Sequence, residues 1–296
     1  MTIETFDAPV TLEQEGKPAS LFLFADRVIW GSVGFRGGET ARPAITLIIG
    51  AYKPVTITTH QTDVHSSRAL LIDANVSRSL NAEMAGFYSL NLDPIHTRCS
   101  YLRDRVLMGQ DVVDLADRLD PKIIAAVTSA IESPGGCKSA LDLSEKIMDH
   151  FFPEAVSQST PIDKRVASAA AWLTTHVPAR PDLEKLAATC HLSQGRLVHL
   201  FTQELGVSIR TYLLWLKMRK AAELFARDIA LTEVASTIGF SDSAHLSRVF
   251  RTYFSAAPSF LANRMLVRVH VCELPLDNAE SREPILPIRS DMPSSQ

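Results

Sequence analysis

The stretch GFSDSAHLSRVFRTYF, Gly239 to Phe254, combines a polar turn with an amphipathic helix. A glycine and small polar residues open it, and apolar side chains then recur at the i, i+3, i+4, i+7 spacing of one helical face. These apolar positions are Leu246, Val249, Phe250 and Tyr253. The other face carries Ala244, Ser247, Arg248 and Arg251. The pattern predicts a helix that packs along one side and exposes a small, polar and basic surface along the other.

The same pattern occurs once earlier in the chain. The apolar positions of LEKLAATCHLSQGRLVHLFTQELG, residues 183–206, match those of LTEVASTIGFSDSAHLSRVFRTYFS, residues 231–255. Each unit predicts a short helix, a tight turn and a second helix. Gly239 supplies the backbone freedom that such a turn needs, and Ser193 and Ser241 are suited to cap the second helices. This is the helix-turn-helix layout, whose second helix enters the DNA major groove.

The segment between the units, Ser208 to Arg227, reads as one continuous helix. Its 20 residues would span ~30 Å, close to the ~34 Å of one DNA turn. One chain could therefore place two recognition helices in successive major grooves. The alternative is a plain all-helical bundle, which the repeated turn chemistry disfavours.

The charge distribution favours a polyanionic partner for this helical region. Residues 161–265 contain 13 Lys and Arg against 8 Asp and Glu, a net +5, whereas residues 1–160 contain 14 against 20, a net −6. A basic block behind an acidic one is typical of a domain that binds nucleic acid. A mildly basic, solvated helical face is the alternative.

The first part of the chain predicts a different architecture. Short segments rich in β-branched and aromatic residues, at about 20–95, are separated by glycine and proline turns and favour an antiparallel barrel or sandwich. They are LFLFADRVIW, AITLIIGAY, VTITT, ALLIDA and FYSLNLD. Helical periodicity follows at about 98–152, in RVLMGQDVVDLADRL, PKIIAAVTSAIE and SALDLSEKIMDHFF. The predicted fold class is therefore α+β, with two domains that each have a core of their own.

Composition places the boundaries between these regions. Residues 1–152 are predicted to form an effector-binding and dimerisation domain, and residues 153–161 a linker rich in Pro, Ser and Thr. Residues 162–265 form the predicted double helix-turn-helix domain. The tail at 273–296, rich in Pro, Ser and charge, is predicted to be disordered.

No targeting or membrane segment is predicted. No apolar run approaches the ~20 residues of a membrane span, and the N-terminal MTIETFDAPV lacks the basic and apolar regions of a secretory signal. The cysteines are scattered without a CxxC pair, at Cys99, Cys137, Cys190 and Cys272. They predict neither a zinc site nor a disulfide framework. We therefore expect a protein of the reduced cytoplasm.

Residues of about 162–262 closely resemble the DNA-binding domain of AraC/XylS-type transcription regulators. The run IGFSDSAHLSRVFRTYFSAAPSFL, residues 238–261, has that family's IGF turn, polar cap, recognition helix and closing aromatic-x-x-x-P. The segments LEKLA and TYLLWLKMRKA fit its first motif and linker helix. The resemblance covers about a third of the chain. It implies a sequence-specific transcription regulator that inserts two recognition helices into successive major grooves.

The first motif departs from the family pattern. His191 stands where the family usually has glycine in the turn, and His199 where an arginine often contacts a base or phosphate. Gly195 replaces a larger side chain, and Ser255 replaces the usual glycine after the second recognition helix. We therefore expect the first motif to read DNA weakly and the second to dominate through Arg248.

The candidate DNA contacts are the outward positions of the two recognition helices. They are Gln194, Arg196, Val198, His199 and Thr202 in the first, and Ser243, Ala244, His245, Ser247, Arg248 and Arg251 in the second. Arg248 can bind guanine or a phosphate through two parallel hydrogen bonds.

The N-terminal region resembles the cupin-type barrel that these regulators often carry, with LNLDP similar to its last strand. Metal-binding cupins place an H-x-H pair where this chain has Arg42 and Ala44, so the resemblance implies no metal and no cofactor. Arg36 and Arg42 are instead candidates for binding a small anionic effector, with surface arginines near a turn as the alternative. The family also implies double-stranded DNA as partner, a homodimer formed upstream of Pro153, and RNA polymerase contact if the regulator is an activator.

Catalytic motifs are absent from the sequence, so we expect no enzyme. GSVGFRGG lacks the lysine of a P-loop, and neither G-x-S-x-G nor HExxH occurs. His60 and His65 read as strand-end histidines. The aspartates at 111, 114, 117 and 120 predict a solvated acidic face of a helix. The alternative function is a cupin-derived enzyme or small-molecule sensor that does not bind DNA.

Overall fold

Two β-sheets and a layer of helices form the N-terminal half of the molecule. The computed structural model describes residues 17–177 and 181–273. Within those ranges the strands are β1 Ala19–Leu23, β2 Arg27–Ser32, β3 Arg36–Thr40, β4 Ile45–Gly50, β5 Val55–Thr59, β6 Asp63–Ser67, β7 Ala69–Ile72, β8 Arg78–Asn81, β9 Phe87–Leu92, β10 Val112–Asp114 and β11 Val267–Val271. The α-helices are α1 Cys99–Tyr101, α2 Pro121–Glu132, α3 Cys137–Phe151, α4 Ala155–Gln158, α5 Lys164–Thr175, α6 Leu183–Thr189, α7 Gln194–Leu205, α8 Ile209–Phe225, α9 Leu231–Thr237, α10 Ser243–Phe254 and α11 Pro258–Ala262.

The sheets pack against each other as a barrel-like sandwich. A seven-stranded sheet has the order β10-β7-β4-β9-β2-β1-β11, and a four-stranded sheet has the order β3-β8-β5-β6. Trp30 and Ile48 pack inward with Ile57 of the smaller sheet. Ile29 and Leu47, one position away, pack outward in the core that α2 and α3 complete. Because both faces of the larger sheet are buried, its strands read as continuous apolar runs, and the α+β class is confirmed.

The C-terminal half contains the two helix-turn-helix units. Helices α5, α6 and α7 enclose a core around Leu197 and Phe201. The core of the second unit, around Trp215 and Phe254, is continuous with the interior of the sandwich around Trp30. The prediction that each half has a core of its own is therefore wrong for the second unit. Apolar side chains at its base cover the open side of the sandwich.

A strand that the sequence analysis did not predict follows the second unit. Strand β11 pairs in parallel with β1, from Val267 opposite Ala19 to Val271 opposite Leu23. The seven-stranded sheet is therefore mixed, and the expectation of a purely antiparallel barrel needs this correction. The segment VRVHV is short, and its pairing partner lies near the other end of the chain, so local pattern could not reveal it.

Strand β11 also brings two remote cysteines together, which corrects the expectation of no disulfide. Cys272 is bonded to Cys137 at the start of α3, and their Cα atoms are 5.6 Å apart. The two residues are 135 positions apart in the sequence, so no spacing motif marks them. Cys99 and Cys190 are free and buried.

The acidic repeat does not lie on one helix, contrary to prediction. Asp114 ends β10, Asp117 lies in a 3₁₀ turn, and Asp120 caps α2 by accepting a hydrogen bond from the Lys122 amide. The spacing of three comes from successive turns rather than from a helical face. A π-helical turn, Leu102–Leu107, occupies the start of the same segment.

Three strands outside the predicted set are short and partly polar: β3, β6 and β8. Within the predicted linker, 153–161, helix α4 forms and buries Ala155. The predicted disordered tail lies outside the described residues except for Glu273.

Candidate nucleic-acid interface

The first helix-turn-helix unit makes its turn without glycine. His191 has φ +54°, the left-handed region that Gly239 occupies with φ +73° in the second unit. Residues with a Cβ enter this region less readily than glycine. Ser193 caps α7 as predicted, because its hydroxyl accepts a hydrogen bond from the Arg196 amide at 3.3 Å. With Leu197 buried below, the outward face of α7 is left to solvent.

In the second unit the cap of α10 is Asp242, and Ser241 supports it. The Asp242 carboxylate accepts a hydrogen bond from the His245 amide at 2.7 Å and another from the Ser241 hydroxyl at 3.0 Å. These two bonds, the backbone one first, lower the pKa of Asp242. The ionised carboxylate satisfies the helix N-terminus and complements its dipole. The prediction that Ser241 itself caps α10 is corrected accordingly.

The residues predicted to contact DNA lie on the solvent side of α7 and α10. Exposed side chains are Gln194, Arg196, Val198, His199, Thr202, Ala244, His245, Arg248 and Arg251, and half-buried ones are Ser243 and Ser247. On α7 an open groove is lined by Gln194, Gly195, Val198, His199, Thr202 and Gln203. Gly195 leaves open space above the helix, since an added Cβ there would meet no atom within 4 Å.

Lys217 is a further basic residue beside the second recognition helix, and the sequence analysis missed it. Its Nζ lies 5.9 Å from the centroid of the Phe240 ring, and that ring lies 5.0 Å from the ring of His245. Burial lowers the pKa of Lys217. Sequence reasoning treated α8 as a spacer, so its side chains were not considered as contacts.

Helix α8 joins the two units and is fixed to the sandwich. Its 17 residues span ~25 Å. The Trp215 indole and the Arg219 guanidinium both donate to Oδ2 of Asp93, at 2.8 and 2.6 Å. Arg219 also donates to the carbonyl oxygens of Phe24 and Ala25. Burial raises the pKa of Asp93, and the Arg219 charge and the Trp215 hydrogen bond act in the opposite direction.

The C-terminal end of α10 contacts the sandwich directly. Ser255 has φ +60°, and its hydroxyl donates to the carbonyl oxygen of Gly38 at 2.7 Å. The Ala41 amide donates to the carbonyl oxygen of Thr252 at 2.9 Å. A Cβ at position 37 would overlap the Ser255 hydroxyl and the Phe35 ring, so Gly37 permits this close approach.

The two arginines that the sequence suggested for effector binding lie apart. Arg36 is exposed on β3, 3.7 Å from a carboxylate oxygen of Glu83. Arg42 lines the interior of the sandwich together with Arg78, which the sequence analysis did not single out. An arginine in the short segment ANVSRSLN gives no local sign of burial, yet Arg78 is only 2% exposed.

The histidines and carboxylates form no evident metal centre. His60 pairs with Asp111 at 2.6 Å, and His65 lies 3.5 Å from the Thr59 hydroxyl. Across residues 17–177 and 181–273, no three His, Cys, Asp or Glu side chains are grouped to hold a metal ion. Within the same ranges no helix has the length and apolarity to cross a membrane.

The helical region matches a known domain family. The model of that family, described as a helix-turn-helix domain, matches residues 186–264. The arabinose operon regulatory protein of Escherichia coli is 32% identical over 124 residues, which cover 40% of this chain and 42% of that protein. The lactose operon transcription activator of Staphylococcus xylosus is 24% identical over 174 residues, covering 55% and 60%. The matches span about half the length of these two relatives.

Solved structures extend the similarity to the sandwich. An apo form of ToxT from Vibrio cholerae aligns with TM-score 0.56 at 12% identity, over 81% of this chain and 97% of that chain. ToxT bound to an unsaturated fatty acid aligns with TM-score 0.51 at 11% identity, over 82% and 96%. At such identities the likeness concerns the fold, which both chains share across their two halves.

Proposed function

We propose that this chain, whose C-terminal domain belongs to the AraC/XylS family of transcription regulators, is a sequence-specific DNA-binding regulator. In this function α7 and α10 enter successive major grooves of one DNA duplex, and α8 sets their separation. Arg248 contacts a base edge or a phosphate. The relatives named above are operon regulators, which supports regulation of transcription over catalysis.

The observation that carries the proposal is the duplicated recognition unit. Each second helix is capped at its N-terminus, buried along its apolar stripe and exposed along its polar face. A helix that only filled a bundle would not need an exposed capped N-terminus preceded by a left-handed turn in both units. Helix-turn-helix proteins use these helix starts to approach base edges and phosphates.

The experiment that tests this function is DNA binding by the full chain at several salt concentrations. Neutralised phosphates release counterions, so log affinity should fall linearly with log salt. Binding to promoter fragments selected from a genome-wide map should exceed binding to random DNA. No retention on DNA or heparin at low salt would instead support the alternative, a cupin-derived enzyme or small-molecule sensor.

The N-terminal sandwich is proposed to sense an effector and to control the second recognition helix. Its contacts with α8 and with the end of α10 supply a physical route for that control. One ToxT structure carries a bound fatty acid, which supports ligand binding by a sandwich of this fold. In keeping with a DNA target, the chain is proposed to act in the cytoplasm, as a homodimer, and to contact RNA polymerase if it activates transcription.

A further inference from the structure

Two arginine side chains meet inside the sandwich beside a small cavity. Arg78 is 2% exposed, and Arg42 is half-buried with its Nε shielded from solvent. Both line the same cavity of about 30 Å³. In the described part of the chain, neither guanidinium forms an ion pair with a carboxylate. A buried charge is costly unless it is paired, so two adjacent uncompensated arginines call for an anion.

The partners of both guanidinium groups are neutral. Arg42 donates to the Asn91 amide oxygen at 3.2 Å and to the Thr40 hydroxyl at 3.4 Å. Arg78 donates to the Thr46 hydroxyl at 2.8 Å and to the carbonyl oxygen of residue 76 at 3.0 Å. Burial lowers the pKa of Arg42 to about 10, and burial with the Arg42 charge lowers the pKa of Arg78. A bound anion would relieve both effects.

The hydrogen-bonding groups left over at this cavity are donors. Nε of Arg42 and the indole Nε1 of Trp30 are buried without a hydrogen-bond partner, and both residues line the cavity. A water molecule would bring two donors of its own into a site that already has an excess of donors. A ligand with acceptors only, such as an ionised oxyanion, matches the site better.

The walls restrict which oxyanion fits. Apolar side chains surround the charged groups, notably Phe35, Leu80 and Phe87. The volume is enough for one small group. A planar carboxylate suits the fork of a guanidinium and can carry a short apolar body against these walls, whereas a phosphate would bring more charge and need more polar contacts.

We propose that the cavity between Arg42 and Arg78 binds a small organic monocarboxylate. This inference rests on the proposed effector-sensing role of the sandwich and names its ligand class and site. Phe254 and Ser255, the end of the second recognition helix, close one side of the cavity. Arg251 and Arg248 lie about one and two helical turns before Ser255. A carboxylate with a longer body would press on that wall, so occupancy would reach the DNA-contacting face.

The test is titration of the full chain with acetate and butyrate, followed by calorimetry and thermal unfolding at constant ionic strength. Acetamide and butyramide are the neutral controls of the same shape, and inorganic phosphate is the control for a general anion effect. A carboxylate in tenfold excess over its Kd should raise the midpoint of unfolding by about 2–4 °C. The amides and phosphate should not.

Three variants locate the site. Arg42→Gln and Arg78→Met should each weaken carboxylate binding at least tenfold, and Arg36→Gln, the exposed arginine on β3, should leave it unchanged. Equal effects of amide and carboxylate, equal effects of phosphate, unchanged binding in both cavity variants, or no binding by the wild-type chain would each overturn the proposal. The wild-type titration decides the matter even if a cavity variant fails to fold.

The remaining carboxylates of the chain provide one more control. Residues 1–16, outside the described ranges, include Glu4, Asp7, Glu13 and Glu15. If acetate binds only after these four are replaced by their amides, the anion of the site belongs to the chain itself and the proposal is wrong. DNA binding is measured on the same samples. Loss of carboxylate binding with DNA binding intact rejects this inference alone, whereas absence of DNA binding rejects the proposed function.

Discussion

Asp93, just after the last long strand of the sandwich, accepts a 2.8 Å hydrogen bond from the indole of Trp215 in the helix between the two DNA-reading units. The same carboxylate oxygen accepts from Arg219. Asp93 is fully buried, so this contact is protected from water and salt. The helix that sets the spacing of the recognition helices is thereby anchored to the sandwich by one side chain.

Asp93→Asn should destabilise the protein by about 3 kcal/mol, because it removes the charge that compensates a largely buried Arg219. Chemical denaturation of the full chain measures this loss. Asp228→Asn is the matched control: Asp228 pairs with Arg264 at 2.5 Å, but both side chains are more than 60% exposed. Such a surface pair should contribute under about 1 kcal/mol. Equal losses in the two variants would show that Asp93 is not an anchor.

Arg248→Ala should weaken specific DNA binding by about 1–3 kcal/mol if Arg248 reads a base. If Arg248 binds only phosphate, all sequences should be affected alike and the salt slope should fall by about one. The side chain is exposed, so folding should be unaffected. Binding isotherms on specific and random DNA at two salt concentrations distinguish these cases. Lys146→Ala, an exposed charge on α3, is the control.

His199→Ala should cost less DNA affinity than Arg248→Ala, because a neutral imidazole contributes little charge near the phosphates. The same isotherms measure both variants. A larger loss for His199→Ala would mean that the first unit, with its groove along α7, is the dominant reader of sequence.

Gly37→Ala should destabilise the protein by about 1–3 kcal/mol, since its Cβ would overlap Ser255 and Phe35. Gly38→Ala is the neighbouring control, where an added Cβ meets nothing within 4 Å. Combining Gly37→Ala with Ser255→Gly should recover part of the loss, because the overlapping hydroxyl is gone and glycine suits φ +60°. Thermal unfolding and DNA binding of the four proteins test the contact. Additive effects would show that the sandwich and α10 are not coupled here.

Cys272→Ser should lower the stability of the oxidised protein by about 2–4 kcal/mol, because the bond to Cys137 closes a long loop between α3 and β11. Wild-type protein treated with a reductant should match the variant. In the reducing cytoplasm proposed for this chain the thiol form is the expected resting state. Two maleimide-reactive thiols at positions 137 and 272 in fully oxidised, folded protein would contradict the pairing.

The homodimer should be visible by sedimentation of the full chain at micromolar concentration, with cross-links upstream of Pro153. The apolar residues of α2 and α3 that suggested an interface are packed within the chain, among them Val127 and Met148. Their outward faces are polar, so we expect an interface of mixed character. A monomer across this concentration range would end the dimer prediction.

How much of this could be predicted follows from the range of the interactions involved. The helix-turn-helix units depend on caps, turns and apolar spacing within about 25 residues, so the sequence shows them almost completely, including the unusual His191 turn. The exchange of Ser241 for Asp242 as the cap is a shift of one residue. Prediction was weaker between residues 105 and 120, where aspartates at turns imitated a helical period.

The sequence by itself determined the two recognition helices, their exposed faces and the α+β division of the chain, because local backbone preference and side-chain periodicity fix these features. Only the tertiary structure decided that β11 joins β1, that Cys137 meets Cys272 and that Asp93 holds α8, since each joins residues more than 100 positions apart. It also decided which arginines face each other: Arg36 turns to solvent, whereas Arg42 and Arg78 converge because their backbone segments line one interior. Burial without a counter-charge is a property of that enclosed space, and no stretch of sequence records it.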